Sequence, residues 1–155
     1  MSRFSIQRHY AAFQPLIDLG NHIQGKLPPA LIELVLMRAS QLNGCAYCLD
    51  MHSKDARAAG ETEQRLYLLS AWREASCYSE RERAALAWCE ALTRLDGHDG
   101  VSDELYEQAS AQFEENELVD LTLLVTMINS WNRINVAART KAGSYRPSVR
   151  KEAAA

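Results

Sequence analysis

Two cysteines and a histidine lie close together in the segment NGCAYCLDMH, which runs from Asn43 to His52. Cys45 and Cys48 are three positions apart, and His52 follows Cys48 by four positions. On a helix these spacings place all three side chains on one face, so the imidazole can reach the second thiol. A cysteine in the first turn of a helix is favoured as a thiolate by the helix dipole and the unpaired N–H groups. The segment is therefore predicted to carry reactive cysteine chemistry.

The spacing of these residues also bears on three other chemistries and on a purely structural role. A structural zinc site needs four ligands, and this segment supplies three. The fourth ligand would have to come from elsewhere in the chain: His9, His22, Cys77 or Cys89. Covalent haem attachment needs a histidine directly after the second cysteine, where Leu49 stands. A thioredoxin-like domain needs a strand before the CxxC, which the sequence lacks. Two buried cysteines beside a solvated His52 are a further alternative to a reactive pair.

Glu33 interrupts the apolar run ALIELVLM, which precedes the two cysteines. If the helix with Glu33 packs against the helix with Cys48 and His52, the carboxylate can accept a proton from the imidazole, or from the thiol through water. An exposed glutamate on a partly solvated face accounts for the same pattern. Spacing does not choose between these alternatives.

The elements that would hold these residues are all helical. Apolar residues recur with helical spacing from end to end, and no alternating run bounded by hairpin signals is present. The sequence predicts one all-α domain over residues 1–155, a helical bundle, with its core motif at 28–60 and a frayed tail from about 144 to 155. Helices are predicted at 29–42, from Cys45 to near Gly60, after Thr62, from Ser79 to Gly97 with a capping box to Glu82, and after Ser102.

The segment over residues 117–141 is apolar on most sides, so it is predicted to form a buried central helix or an oligomer-forming helix. Four polar residues interrupt its apolar face: Asn129, Asn132, Arg133 and Asn135. Trp131 is expected either to line the pocket or to contact another subunit. Cys89 shares a helical stripe with apolar neighbours, which predicts simple core packing.

Composition narrows the class of protein. The chain has 155 residues, of which 47% are apolar and 24% charged, as in globular proteins. Seventeen basic and twenty acidic residues are interspersed and give a net charge of -3, which argues against nucleic acid or an anionic membrane as a partner. No continuous apolar segment long enough for a signal peptide or a membrane span is visible, so a cytoplasmic location is expected. In that compartment a close CxxC pair indicates redox or metal chemistry.

The run ELVLMRASQLNGCAYCLDMHSKDARAAG, residues 33–60, resembles the core motif of the alkylhydroperoxidase D-like proteins of the carboxymuconolactone decarboxylase superfamily. That motif combines a glutamate, a CxxC twelve residues on, and a histidine four residues after the second cysteine. The segment INSWNRINVAART, residues 128–140, is similar to the closing helix of the smaller members. The resemblance implies an all-helical fold that assembles into trimers or hexamers, and a thiol peroxidase activity without a bound cofactor or metal.

The resemblance also implies roles for five residues. Cys48 would be the peroxidatic cysteine and Cys45 the resolving cysteine, with Glu33 and His52 as the proton relay. Tyr47 is a possible auxiliary residue, because it stands where the founding member has a relay histidine, and a phenol is a poorer proton shuttle near neutral pH.

Turnover on this interpretation needs a hydroperoxide as substrate and an external dithiol as reductant. The reductant is expected to be a lipoyl-bearing or thioredoxin-like protein. Cys45, at the helix start, is expected to be the better placed sulfur for thiol exchange. The alternatives are a redox sensor or oligomeric binding protein of the same superfamily without turnover, and a zinc site at the CxxC and histidine cluster.

Overall fold

The chain folds into helices joined by short connections. This computed structural model describes residues 2–95 and 100–147. Within those ranges there is no β-strand, which confirms the all-α class. A 3-10 helix over Gln7–Phe13 precedes seven α-helices: α1 (Gln14–Ile23), α2 (Pro29–Asn43), α3 (Ala46–Ala58), α4 (Glu63–Leu68), α5 (Glu80–Arg94), α6 (Asp103–Ser110) and α7 (Glu115–Ala138). A short 3-10 turn, Leu69–Ala71, continues α4.

Helix α2 is the centre of the fold, since it packs against α3, α5 and α7. Pro29 occupies its first turn, where a missing backbone N–H is tolerated. Gly44, at φ 64°, ends the helix in the left-handed region that favours glycine. These two residues account for the predicted helix at 29–42, which the structure confirms to within one residue at its end.

Helix α3 begins directly at the CxxC. Cys45 is its N-cap, with extended backbone, and the Cys45 Sγ accepts a hydrogen bond from the backbone N–H of Cys48 at 3.3 Å. The helix ends at Ala58, two residues before Gly60, whose φ of 94° turns the chain. The structure thus confirms that the two cysteines belong to the first turn of a helix.

Local caps start the helices that follow. Ser79 and Glu82 form the predicted capping box of α5, in which each side chain bonds the other residue's backbone N–H. Ser102 caps α6 as predicted. Helix α5 ends at Arg94, with Leu95 as a left-handed C-cap at φ 46°, before the predicted end at Gly97, which lies outside the described residues.

The long helix α7 crosses the bundle and packs against α1, α2 and α5. Leu121, Leu124 and Ile128 are at most 1% exposed, whereas Val119 and Val136 are 53% and 51% exposed. The helix is therefore central but keeps apolar side chains on its outer face. Neither α7 nor any other described helix has the length and apolarity needed to cross a bilayer.

The asparagines that interrupt the apolar face of α7 lie inside the protein. Asn129, Asn132 and Asn135 are 9%, 0% and 6% exposed. The amide of Asn43, at the end of α2, donates to the Oδ1 atoms of Asn129 and Asn132 at 2.9 Å each. Asn132 in turn donates to Ser40 Oγ at 3.0 Å. These bonds join α2 to α7 through the core.

The tail predicted to fray from about 144 to 155 makes specific contacts where it is described. The hydroxyl of Tyr145 donates to the carboxylate of Asp55 on α3, at 2.9 and 3.0 Å. Lys54 Nζ donates to the Tyr145 carbonyl at 3.1 Å. Burial, reinforced by the Asp55 carboxylate, raises the pKa of Tyr145 to about 12. Residues 148–155 lie outside the described part of the chain.

Candidate active site

Cys45 and Cys48 are joined by a disulfide bond at the start of α3. Each cysteine is only 1% exposed. A pair of cysteines at N-cap and third position of a helix has its sulfurs close to unpaired backbone N–H groups, which stabilise a thiolate after reduction. The oxidised pair is one of the two states that a dithiol redox centre needs.

His52 lies one turn after Cys48 on α3 and forms a hydrogen bond with α2. Its Nδ1 is 3.0 Å from Glu33 Oε2, and the residue is 8% exposed. A carboxylate can only accept, so the imidazole carries its proton on Nδ1 and donates to Glu33. The other ring nitrogen, Nε2, is left able to accept or deliver a proton. The structure therefore brings together two residues that are 19 positions apart in sequence.

Cys48 and His52 both line a cavity of about 380 Å³ between α3, α7 and the N-terminal segment, residues 6–17. Most of its wall is apolar or aromatic. This part of the wall is formed by Ile6, Tyr10, Ile17, Met51, Met127, Ile128 and Trp131. The polar side chains on the wall are Gln7, Tyr47, His52, Asn135 and Thr140. A mostly apolar cavity with a few convergent polar groups is the usual form of a small-molecule site.

A second cavity, of about 370 Å³, also has His52 on its wall, together with Glu33 and Asp55. Four side chains line both cavities: Ile17, His52, Met127 and Trp131. His52 thus borders both the cavity that Cys48 lines and the cavity that Glu33 and Asp55 line. This position suits a group that moves a proton between the sulfur side and the carboxylate side.

Asn135 reaches Cys48 from α7. Its Nδ2 lies 3.8 Å from Cys48 Sγ and also donates to the carbonyl of Trp131 at 3.0 Å. An amide N–H directed at a sulfur stabilises negative charge that develops there on reduction. Asn135 is 87 positions from Cys48, so the sequence offered only a polar residue at an apolar position of the last helix.

The two cysteines differ in what they face. Both are 1% exposed, and Cys48 is the one that lines the described cavity. Cys45, as N-cap, directs its Sγ toward its own helix, where it accepts from the Cys48 N–H. That Cys45 is the better placed sulfur for thiol exchange stays a prediction.

The other cysteines lie apart from this site. Cys89 is fully buried, as predicted, and its thiol donates to the Val35 carbonyl. Burial raises the pKa of Cys89 to about 12. Cys77 is a partly exposed free cysteine. Within residues 2–95 and 100–147, no three metal-binding side chains are grouped as a metal site would need.

The all-α fold has counterparts among known proteins. Residues 8–91 match the model of the carboxymuconolactone decarboxylase family. The chain belongs to this family, and it is an alkylhydroperoxidase D-like member of that superfamily.

Three relatives illustrate the likeness. The YdfG protein of Bacillus subtilis is 49% identical over 112 residues, which are 72% of this chain and 76% of that protein. A structure from Agrobacterium tumefaciens, of unknown function and assigned by its name to AhpD-type antioxidant defence, has a TM-score of 0.87 at 37% identity and covers 94% of this chain and 100% of its own. The debrominase Bmp8 has a TM-score of 0.79 at 20% identity, covering 90% of this chain and 75% of its own. At that identity the likeness to Bmp8 concerns the fold alone.

Proposed function

We propose that this protein is a hydroperoxide reductase that cycles Cys45 and Cys48 between dithiol and disulfide. The observation that carries the proposal is the position of Cys48, on the wall of a mostly apolar cavity beside a histidine whose other nitrogen is bonded to Glu33. Family membership supports the proposal, since the relative from Agrobacterium tumefaciens is assigned by its name to antioxidant defence. The place of the disulfide at a helix N-terminus, where a thiolate is stabilised, favours redox chemistry over a purely structural role.

The proposed reaction starts with proton transfer from the Cys48 thiol to the free nitrogen of His52, while Glu33 stabilises the resulting imidazolium. The thiolate attacks the terminal oxygen of the hydroperoxide, the O–O bond breaks, and the sulfur keeps that oxygen as a sulfenic acid. The leaving alkoxide takes the proton from His52 and departs as the alcohol. The Cys45 thiol then attacks the Cys48 sulfur, and the disulfide forms with loss of water. Two thiols and one hydroperoxide thus yield one disulfide, one alcohol and one water.

A dithiol reductant must then regenerate the thiols by exchange through a mixed disulfide. Both cysteines are 1% exposed, and Cys48 lines the cavity. We therefore propose that the reductant is a slender dithiol such as a lipoyl arm rather than the flat face of a thioredoxin-like protein. Reduction by dihydrolipoamide should therefore be faster than by thioredoxin at equal dithiol concentration, as measured from the free thiols released. Faster reduction by thioredoxin would contradict this choice of reductant.

The proposed function is tested by counting free thiols in reduced protein before and after one equivalent of an organic hydroperoxide. The wild-type protein should lose two thiols, Cys48→Ser none within the same time, and Cys45→Ser should accumulate a sulfenic acid that dimedone traps. Cys89→Ala is the matched control and should still lose two thiols. Loss of two thiols in Cys48→Ser, or no rapid loss in the wild type, would remove the peroxidase proposal.

A further inference from the structure

The side-chain carbonyl of Asn135 is a buried acceptor that lacks a donor. Its Oδ1 is buried and is the one buried side-chain nitrogen or oxygen atom without a hydrogen-bond partner in the described parts of the chain. Leaving such a group unpaired is unfavourable, so native interiors contain few of them. Asn135 is 6% exposed and lines the Cys48 cavity. An unpaired acceptor at this place points to a ligand that brings its own donor.

The orientation of the amide is fixed by its nitrogen. Nδ2 donates to the Trp131 carbonyl at 3.0 Å and faces Cys48 Sγ at 3.8 Å. If the amide were turned over, Oδ1 would face the carbonyl oxygen of Trp131, and two acceptors would meet. Both Nδ2 protons therefore have partners inside the protein. The carbonyl oxygen is the part of Asn135 that is left for a ligand.

We infer that Asn135 is a substrate-binding residue whose Oδ1 accepts a hydrogen bond from the O–H of a hydroperoxide. This inference rests on the proposed function and adds the class of substrate: a largely apolar molecule with one O–H donor at the end nearest Cys48. The apolar wall takes the organic group, and Asn135 holds the terminal oxygen that the sulfur attacks. That oxygen keeps its hydrogen through the attack and becomes the sulfenic acid hydroxyl.

The donor requirement can be measured without turnover. The disulfide form of the protein does not react with an alcohol, so binding can be followed by titrating tryptophan emission, because Trp131 lines the cavity. The probes are 2-phenylpropan-2-ol, which offers one O–H, and its methyl ether, which offers none. The wild-type protein should bind the alcohol about tenfold tighter than the ether.

Two variants of Asn135 separate the hydrogen bond from the difference in probe size. Asn135→Leu is nearly isosteric and has no acceptor, so the preference for the alcohol should fall to about twofold or less. Asn135→Gln retains both the acceptor and the donors of an amide and should retain a preference for the alcohol. Should the leucine variant not fold, Asn135→Ala carries the same comparison. The matched control is Asn132→Leu, on the same helix and in neither cavity lining, which should keep the tenfold preference.

Equal binding of alcohol and ether by the wild-type protein would overturn the assignment, since it would mean that water meets the acceptor. A preference that persists in Asn135→Leu would also overturn it. These outcomes are distinct from failure of the proposed function, which is measured by thiol loss on peroxide addition. A protein that prefers the alcohol but loses no thiols keeps the Asn135 site and loses the peroxidase chemistry.

Discussion

Two regions along α7 contain the same residue types and behave differently. In the core region, Asn129 donates to Thr93 Oγ1 at 3.0 Å, and Thr93 Oγ1 lies 4.0 Å from the Cys89 sulfur. In the cavity region, Asn135 faces the Cys48 sulfur at 3.8 Å and its Oδ1 has no partner within the described residues. Each region pairs an asparagine with a cysteine. The core region satisfies its polar atoms internally, whereas the cavity region leaves one acceptor open beside a sulfur that lines a cavity.

The difference separates a structural asparagine from one that is suited to binding. Buried amides whose donors and acceptors are all used join helices and specify how they pack. A buried amide with an unused acceptor lowers stability, and such a cost is tolerated where a ligand removes it. The same contrast holds for the sulfurs, since Cys89 has a pKa of about 12 and stays protonated. Substitutions in the core region should therefore lower stability more than reactivity. Substitutions in the cavity region should lower reactivity more than stability.

The largest expected effect comes from substituting the cysteine of each region in turn. Cys48→Ser should lower the rate of peroxide-driven thiol oxidation by at least about 10³-fold, because the nucleophile is lost. Cys89→Ala should change that rate by less than about twofold, since the buried thiol takes no part. Stopped-flow measurement of hydroperoxide consumption checks both variants. Similar rate losses in the two variants would contradict the division into two regions.

The proton relay should give the next largest effect. Glu33→Gln removes the carboxylate that accepts from His52 Nδ1 and should slow thiol oxidation by about 10²-fold, within the range for general acid–base catalysis. Glu90→Gln provides a control in the buried ion-pair cluster with Arg38 and should lower stability without a comparable loss of rate. Single-turnover rates on reduced protein, with circular dichroism to check folding, distinguish the outcomes. An unchanged rate in Glu33→Gln would remove Glu33 from the relay.

The matched asparagine variants compare the regions directly. Asn132→Leu breaks buried hydrogen bonds to Ser40 and Asn43 and should lower the free energy of unfolding by about 2–3 kcal/mol. Asn135→Leu removes an unpaired acceptor together with the donor to Trp131 and Cys48, so it should lower the free energy of unfolding by less, no more than about 1 kcal/mol. Urea unfolding of the oxidised proteins measures both values. Equal destabilisation would show that Asn135 is structural like its neighbour.

The smallest expected effect is a pH dependence that arises in the core region. Burial raises the pKa of Cys89 to about 12, against about 9 in an unfolded chain. The stability that this shift contributes is complete below pH 9 and is lost as the pH rises from 9 toward 12. At pH 10 the loss should be about 1.4 kcal/mol relative to pH 8. The measurement uses the oxidised protein, because Cys45 and Cys48 do not titrate while the disulfide bond joins them.

Urea midpoints of the wild type and Cys89→Ala at pH 8 and pH 10 measure that loss, which the variant should lack. The raised pKa values of Tyr78 and Tyr145, both about 12, also lower stability near pH 10, but they do so in both proteins, so the effect of Cys89 is the difference between the wild type and the variant. An equal loss in both proteins would mean that the thiol of Cys89 does not cause it.

Much of the fold could be predicted because its signals are local. Pro29 and Gly44 delimit α2, and Ser79 with Glu82 starts α5, since caps and breakers act within one turn of the chain. The sequence did not predict that Ile6, Tyr10 and Ile17 line the cavity. Those residues come from the N-terminal segment, whose place beside α3 and α7 depends on packing rather than on local propensity.

The sequence by itself determined that the protein is all-helical and that its CxxC lies at a helix start with a histidine one turn on. Helical spacing and capping are properties of neighbouring residues, so these features need no tertiary information. Only the tertiary structure decided that Glu33 meets His52, that Cys48 rather than Cys45 lines the cavity, and that Asn135 faces the sulfur. Those outcomes depend on how α2, α3 and α7 pack, because contacts between residues 19 or 87 positions apart arise only when helices are placed side by side.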